Sequence, residues 1–139
     1  ITHNLGVVAQ PCDRVMVMYA GRVIETATVR ELFHSPRHPY SKALLESIPK
    51  RGNKQARGTR LPTIPGVVPS LFELPDGCRF EPRCRHTDRD RCVRDEPPLA
   101  PAPDIGPGRQ VRCHYPLGTP RERPANLTVS ATSTIPSEG

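Results

Sequence analysis

Four cysteines within 36 residues set the tightest limit on how this chain can fold: Cys78, Cys84, Cys92 and Cys113, in the arrangement C-x5-C-x7-C-x20-C. Few large apolar residues accompany them: Phe80, Val93, Leu99, Ile105, Val111 and Tyr115. Such a segment buries too little apolar area to offset the entropy of ordering it. A covalent or coordinative staple is therefore expected. A zinc ion, an iron–sulfur cluster and a pair of disulfides are the three candidates. The spacing lacks the paired C-x2-C knuckles usual in zinc modules. Thiolate-only ligation with irregular spacing suits a cluster at least as well. On spacing alone, all three stay open.

Composition agrees with a stapled rather than a compact chain. Proline accounts for 18 of 139 residues and glycine for 10, aromatics make up 4%, and there is no Trp. That approaches the range of irregular chains, so the expectation is a small structured front, a stapled middle and a loose tail. No charged and apolar leader pattern follows Ile1, and no run of about 18 apolar residues exists, so neither a signal peptide nor a membrane span is expected. A reducing cytosol follows as the expected compartment, where clustered cysteines bind metal more often than they pair. Net charge is +6, with basic residues concentrated at 50–60 and 79–94. The bland reading is a solvated linker and rim; the functional one is contact with nucleic acid or anionic headgroups. No aromatic ladder interleaves with the charges, which weighs against nucleic acid.

Taken in order, Ile1-Thr2-His3 reads as the end of a buried strand, and Asn4 as the cap of a short helix carrying Leu5, Val8 and Ala9 on one face. Val15 to Tyr19 is a β-rich run, Ala20-Gly21 a two-residue turn, and Arg22 to Glu25 the returning arm of a hairpin. Thr28 and Glu31 form a capping box for a helix from Val29 to His34. His38-Pro39-Tyr40 opens a second helix, with Tyr40, Ala43, Leu44, Ser47 and Ile48 on one stripe and Pro49 ending it. Residues 50–60 read as a linker. Leu61 to Pro69, with three prolines, reads as an extended strap docked through Ile64, Val67 and Val68, after which Leu71, Phe72 and Leu74 anchor the cysteine segment. Beyond Pro116 the chain is rich in Thr, Ser, Pro and Ala and is expected to be disordered.

Three stretches together resemble one family. Ile1-Thr2-His3-Asn4-Leu5-Gly6 through Cys12-Asp13-Arg14-Val15 to Ala20-Gly21-Arg22 is similar to the switch-histidine region of ABC transporter ATPases. Arg37-His38-Pro39-Tyr40 with Lys42-Ala43-Leu44-Leu45 resembles the HPY segment of oligopeptide/dipeptide importer ATPase subunits. The frame around Cys78, Cys84 and Cys113 resembles the C-terminal extension of that same branch. Asn4 stands where the family usually has Asp, and seven residues rather than the more usual six separate Cys84 from Cys92.

The resemblance implies an α/β fold: the C-terminal piece of an ABC nucleotide-binding domain, then an irregular, Pro-rich, cysteine-stapled extension and a disordered tail. The implied divisions are 1–35 (end of the ATPase domain), 36–60 (HPY helix and basic linker), 61–117 (extension) and 118–139 (tail). It implies His3 as the switch histidine and Cys78, Cys84, Cys92 and Cys113 as ligands of a 4Fe–4S cluster, with zinc the lesser choice. The implied function is part of the subunit that powers ATP-dependent peptide import, at the cytoplasmic face of the membrane. The implied partners are permease subunits and a second ATPase subunit, with no nucleic acid. The P-loop is absent, so this chain alone is expected to be inactive, with ATP and Mg bound only in a complete subunit. Two other functions stand beside this one: a stand-alone metal module with a basic nucleic-acid-contacting rim, and a disulfide-stapled secreted domain.

The remaining candidates have bland readings. Cys12 is expected to be a small buried hydrophobe and His34 and His38 caps or surface residues, while substitute ligation by His86 or His114 is only the lesser reading of each. Tyr40 is expected to anchor the core of the second helix. Asp88, Asp90, Asp95 and Glu96 are expected to partner nearby arginines, and Arg79, Arg83, Arg85 and Arg91 to offset the charge of a thiolate-bound cluster.

Overall fold

The computed structural model describes residues 12–48, 62–87, 89–102 and 108–118. His3, Asn4 and the short helix expected after them, the linker and the tail beyond residue 118 lie outside the described residues. The hairpin forms where the β-rich run predicts it, as β1 (Arg14–Tyr19) and β2 (Arg22–Thr28). Ala20 and Gly21 turn it with φ of 44° and 79°. Two successive positive φ values suit the right-handed twist of the arms.

One irregularity decides what the hairpin buries. Val17 pairs with Glu25, but Met18 pairs with Val23, so Ile24 is an extra residue in β2. The bulge breaks the alternation, and Ile24 and Glu25 are both buried, at 4% and 0% exposure. Val17 and Tyr19 point to the same interior, whereas Met16 and Met18 face outward.

Thr28 then caps α1 (Val29–His34) through the expected box. The Thr28 N–H and hydroxyl both donate to the Glu31 carboxylate, each at 2.8 Å, and hold its pKa below the ordinary value. The second helix, α2 (Pro39–Glu46), has proline in its first turn and His38 as N-cap, with Nδ1 accepting the Tyr40 N–H at 3.0 Å.

The extension does not stand apart from this framework. After a 3-10 turn (Glu81–Arg83) and a short helix, α3 (Arg89–Arg94), the chain adds β3 (Ala100–Pro101) and β4 (Gln110–Val111). These join the hairpin in one antiparallel sheet of order β1-β2-β4-β3. Val111 pairs with Glu25, and Gln110 with Thr26. The core is likewise shared: Val17, Tyr19, Ile24, Ala27 and Leu32 pack with Phe80 of the cysteine segment, flanked by Tyr40, Leu44, Ile64, Cys78 and Cys84.

Two expectations about apolar anchors are corrected. Ile64 packs on the core, but Val67 and Val68 are 88% and 53% exposed, and Leu71 and Phe72 are 65% and 98% exposed. The strap is held by its backbone instead. The Arg83 guanidinium donates to the carbonyls of Ile64 and Pro65 at 3.1 and 2.8 Å, and Gly66 turns away at φ 80°. Cys12 is exposed rather than buried, because it precedes the first residue of β1. Among the described residues, no helix is long and apolar enough to cross a membrane.

Candidate functional site

The site is framed by an aromatic cluster drawn from three parts of the chain. Tyr19 of β1, Tyr40 of α2 and Phe80 of the cysteine segment stack at tilted and edge-on angles, with ring centroids 4.8 to 5.4 Å apart. Such geometry adds specificity beyond area burial. The buried His38 ring lies 5.8 Å from Phe80. Burial pulls the His38 pKa down to about 3, against a smaller raising effect from the Arg112 backbone. With Nδ1 accepting the Tyr40 N–H, the neutral ring carries its proton on Nε2.

From Phe80 the chain runs directly into the cysteines. Cys78 packs on the core two residues before it, and the Cys78 N–H donates to the Cys92 carbonyl at 2.8 Å. That bond brings α3 against the segment before Cys78, and Gly77 makes the approach possible. A Cβ on Gly77 would lie 2.2 Å from the Cys92 carbonyl oxygen and 2.5 Å from that of Val93. No side chain fits there.

All five cysteines are free thiols, so the disulfide reading does not hold here. Cys78, Cys84, Cys92 and Cys113 are brought into one electrostatic neighbourhood. Burial pushes the Cys113 thiol up to about 12, and repulsion from Cys78, Cys84 and Cys92 adds to it. Burial likewise raises Cys84 to about 11, with repulsion from Cys78 and Cys92, and raises Cys78. One local pattern opposes this rise. The backbone N–H two residues after the cysteine points at its sulfur in three cases: Phe80 for Cys78, His86 for Cys84 and Tyr115 for Cys113. The His86 N–H lies 3.4 Å from the Cys84 sulfur. Such donors favour the thiolate.

The donor set is thiol-only, the chemistry that a thiolate-bound electrophilic group uses. Four half-buried to buried thiols repel one another when ionised, and three carry N–H groups aimed at sulfur; a bound cationic centre would relieve the repulsion and use those dipoles. Among the described residues, however, no three His, Cys, Asp or Glu side chains are placed to hold a single metal ion. A tetrahedral zinc site would need its sulfurs about 3.8 Å apart, given Zn–S bonds of about 2.3 Å.

Two of the four arginines expected beside the cysteines, Arg79 and Arg83, have other partners. Arg79 donates to the Ala20 carbonyl at 2.6 Å and pairs with Glu96 at 3.6 Å. Arg83 reaches the strap and the Tyr19 hydroxyl, the latter at 3.2 Å. Glu96 also meets Arg22 and Arg112, at 3.5 and 4.0 Å, and so fills the role of arginine partner. These guanidiniums fasten the extension to the hairpin through carbonyls at the turn and the strap. His114 contacts the Asp95 carbonyl at 2.8 Å through Nε2.

Sequence reasoning missed the most buried polar cluster. The Glu25 carboxylate accepts the backbone N–H groups of Arg37 and His38, each at 2.9 Å, and the Arg109 Nη2 at 2.8 Å. Arg109 is 3% exposed and also donates to the Ser35 carbonyl. The signal was weak: one Glu directly after Ile24 in a strand whose alternation is broken by the bulge.

A family model for the oligopeptide/dipeptide transporter C-terminal region matches residues 24–92. The chain belongs to that family. It is 45% identical over 117 residues to the dipeptide transport ATP-binding protein DppD of Escherichia coli, covering 84% of this chain and 34% of that protein. It is 48% identical over 115 residues to a putative peptide import ATP-binding protein of Brucella ovis, covering 81% of this chain and 34% of that protein. With the oligopeptide transport ATP-binding protein OppD of Salmonella typhimurium, identity is 45% over 117 residues, covering 84% and 32% respectively. The chain thus spans about a third of the length of these relatives. Within the transporter C-terminal family, the His38-Pro39-Tyr40 motif gains a structural meaning: it places an imidazole cap, a helix start and a core aromatic on one turn.

Proposed function

We propose that this chain is the C-terminal part of an ATP-binding subunit that powers import of dipeptides or oligopeptides, with a 4Fe–4S cluster held by Cys78, Cys84, Cys92 and Cys113. The observation that carries it is the common core of hairpin, HPY helix and cysteine segment (Tyr19, Tyr40 and Phe80), built within and beside the stretch that the family model matches. The roles named for the relatives, dipeptide and oligopeptide transport, supply the substrate class. On this reading, residues 1–35 are the end of an ABC nucleotide-binding domain, residues 36–60 the HPY helix and basic linker, and the cysteine extension, 61–117, is stapled onto them. His3 is the switch histidine of the complete subunit, which binds ATP and Mg through parts this chain lacks. The partners are permease subunits and a second ATPase subunit, and the assembly sits at the cytoplasmic face of the membrane.

The cluster reading is supported by the thiol-only donor set and by the N–H groups aimed at three sulfurs. When bound, a cluster supplies four iron–thiolate bonds and a centre capable of one-electron exchange. The chain's own part is to hold four thiolates, to direct backbone N–H groups onto them and to keep Phe80 packed beside them. Support for either a cluster or zinc is the donor chemistry alone, because among the described residues no three such side chains are set for one ion.

The test replaces the C-terminal region of the E. coli dipeptide transport ATP-binding protein with the matching residues of this chain. Dipeptide uptake and ATP turnover are expected to persist, and His3→Ala in that chimera is expected to cut turnover by orders of magnitude while nucleotide binding remains. The isolated chain is expected to release no phosphate. A folded chimera without uptake refutes the transport reading. Iron and sulfide analysis after anaerobic reconstitution tests the cluster separately, and one equivalent of zinc without sulfide refutes it.

A further inference from the structure

Among the described residues, an apolar groove lies between α1 and α2, away from the aromatic cluster and the cysteines. It encloses about 560 Å3 and is walled by Phe33, Pro36, Leu45, Ile48 and Leu117. That is the size of a binding cleft rather than of a packing fault. The two charged residues on its rim, Lys42 and Glu46, pair with each other at 3.9 Å, so the groove presents no net charge. The described chain leaves this groove twice, at Ile48 and at Gly118. The second exit is fixed in place. The Leu117 N–H donates to the Arg37 carbonyl at 2.8 Å, and the Arg37 guanidinium donates back to the Leu117 carbonyl at 2.5 Å. The sequences beyond the two exits differ in kind. Residues 50–60 carry Lys50, Arg51, Lys54, Arg57 and Arg60, and no apolar side chain larger than that of Ala56. Burying such a segment would strand its charges. Residues 124–137 hold no charged residue, in a chain that is 24% charged, and they include Leu127, Val129 and Ile135.

We propose that residues 124–137 dock in this groove of their own chain, with Leu127 and Val129 as the side chains that enter it. In an extended segment these two fall on one face. Leu127 stands nine residues beyond Gly118, a reach of about 30 Å, against a length of roughly 12 Å for the eight-residue α2. A tether of that length holds the segment near the groove at an effective concentration in the millimolar range. Two apolar anchors therefore suffice where a separate partner would need a larger surface. A segment too poor in apolar residues to fold by itself can still order on a preformed groove. The α1 and α2 walls lie inside the stretch that the family model matches, whereas the docking segment lies outside it. Docked, the segment closes an apolar cleft of the HPY region to any other partner.

Fluorophenylalanine labelling of the full chain tests this, because its three phenylalanines sit in three settings: Phe33 in the groove, Phe72 98% exposed and Phe80 3% exposed. The fluorine NMR signal of Phe33 is expected to respond little to exchanging water for deuterium oxide in the parent chain. In Leu127→Asp/Val129→Asp its response is expected to approach that of Phe72, with Phe80 unmoved as the check on folding. From the groove side, Ile48→Arg is expected to speed elastase cleavage at Ala125, Val129 or Ala131 by about tenfold. A Phe33 signal that the two tail substitutions leave unchanged overturns the proposal. Cleavage equally fast in the parent and in Ile48→Arg also overturns it. A Phe33 response that grows with protein concentration, together with a doubled mass, overturns it as well and gives the groove to the tail of a second copy. No ATP, peptide or iron enters these measurements, so their outcome is separate from that of the transport and cluster readings.

Discussion

Replacing Glu25 by Gln takes one negative charge out of a position that solvent does not reach, at 0% exposure. Three donors converge on that carboxylate. The Arg37 N–H and Arg109 Nη2 share Oε1, and the His38 N–H uses Oε2. The amide oxygen of Gln can keep the first two, but its NH2 then faces the His38 N–H. That lost bond costs about 1–3 kcal/mol. The larger effect is electrostatic, because Arg109 stays charged and 3% exposed with no counter-ion. Breaking a buried pair from one side costs about 3–5 kcal/mol, a figure that already contains much of the hydrogen-bond loss. Glu25→Gln is therefore expected to destabilise the fold by about 3–5 kcal/mol, lowering Tm by on the order of 10 °C. Urea unfolding of the full chain followed by circular dichroism measures it, with Arg109→Met and the double variant Glu25→Leu/Arg109→Met completing the comparison. Because the double variant buries no unpaired charge, it is expected to be more stable than Glu25→Gln. A loss below about 1 kcal/mol in Glu25→Gln, or a double variant as poor as the sum of the singles, refutes the reasoning.

Three further outcomes follow from the same geometry. His38 is neutral in the fold, with its pKa near 3 against an ordinary 6.5, so the unfolded chain gains a proton first on acidification. Its stabilising effect is full above about pH 6.5 and declines at about 1.4 kcal/mol per unit below that; the slope between pH 6.5 and 5 is expected to be shallower by about that amount in His38→Asn, which keeps a capping oxygen. Gly77→Ala would put a methyl group 2.2 Å from the Cys92 carbonyl oxygen, so α3 must shift, and iron retention and thermal stability are both expected to drop; a Gly77→Ala variant that loads and melts as the parent does would show the approach to be looser. In the metal-free chain, Cys12 is exposed while Cys84 and Cys113 are held as thiols by burial, so iodoacetamide mapping at about pH 8 is expected to find Cys12 alkylated first, and Cys113 reacting as fast would contradict the burial argument.

The local structure of this chain was legible because short-range chemistry decides it. The β-rich run from Val15 to Tyr19, the Ala20-Gly21 turn, the Thr28–Glu31 box and Pro39 at a helix start each act within a few residues, and the hairpin, α1 and α2 stand where those signals put them. The four clustered cysteines and the HPY motif were equally plain, as residue types and spacing are sequence properties, and they pointed to the family. What tertiary structure alone decided depends on residues far apart in the chain. The bulge at Ile24 is a matter of register, and it turned a strand glutamate into a buried acceptor for Arg109, 84 residues away. The apolar look of Val67, Val68, Leu71 and Phe72 promised docking, but the strap is fastened through carbonyls by Arg83, and composition does not record hydrogen bonds to the backbone. The same holds for Arg79 and Arg83, whose acceptors are at the hairpin turn and the strap. Proximity in sequence gave the cysteines their neighbours, but only the pairing of β4 with β2 made the extension and the hairpin one sheet.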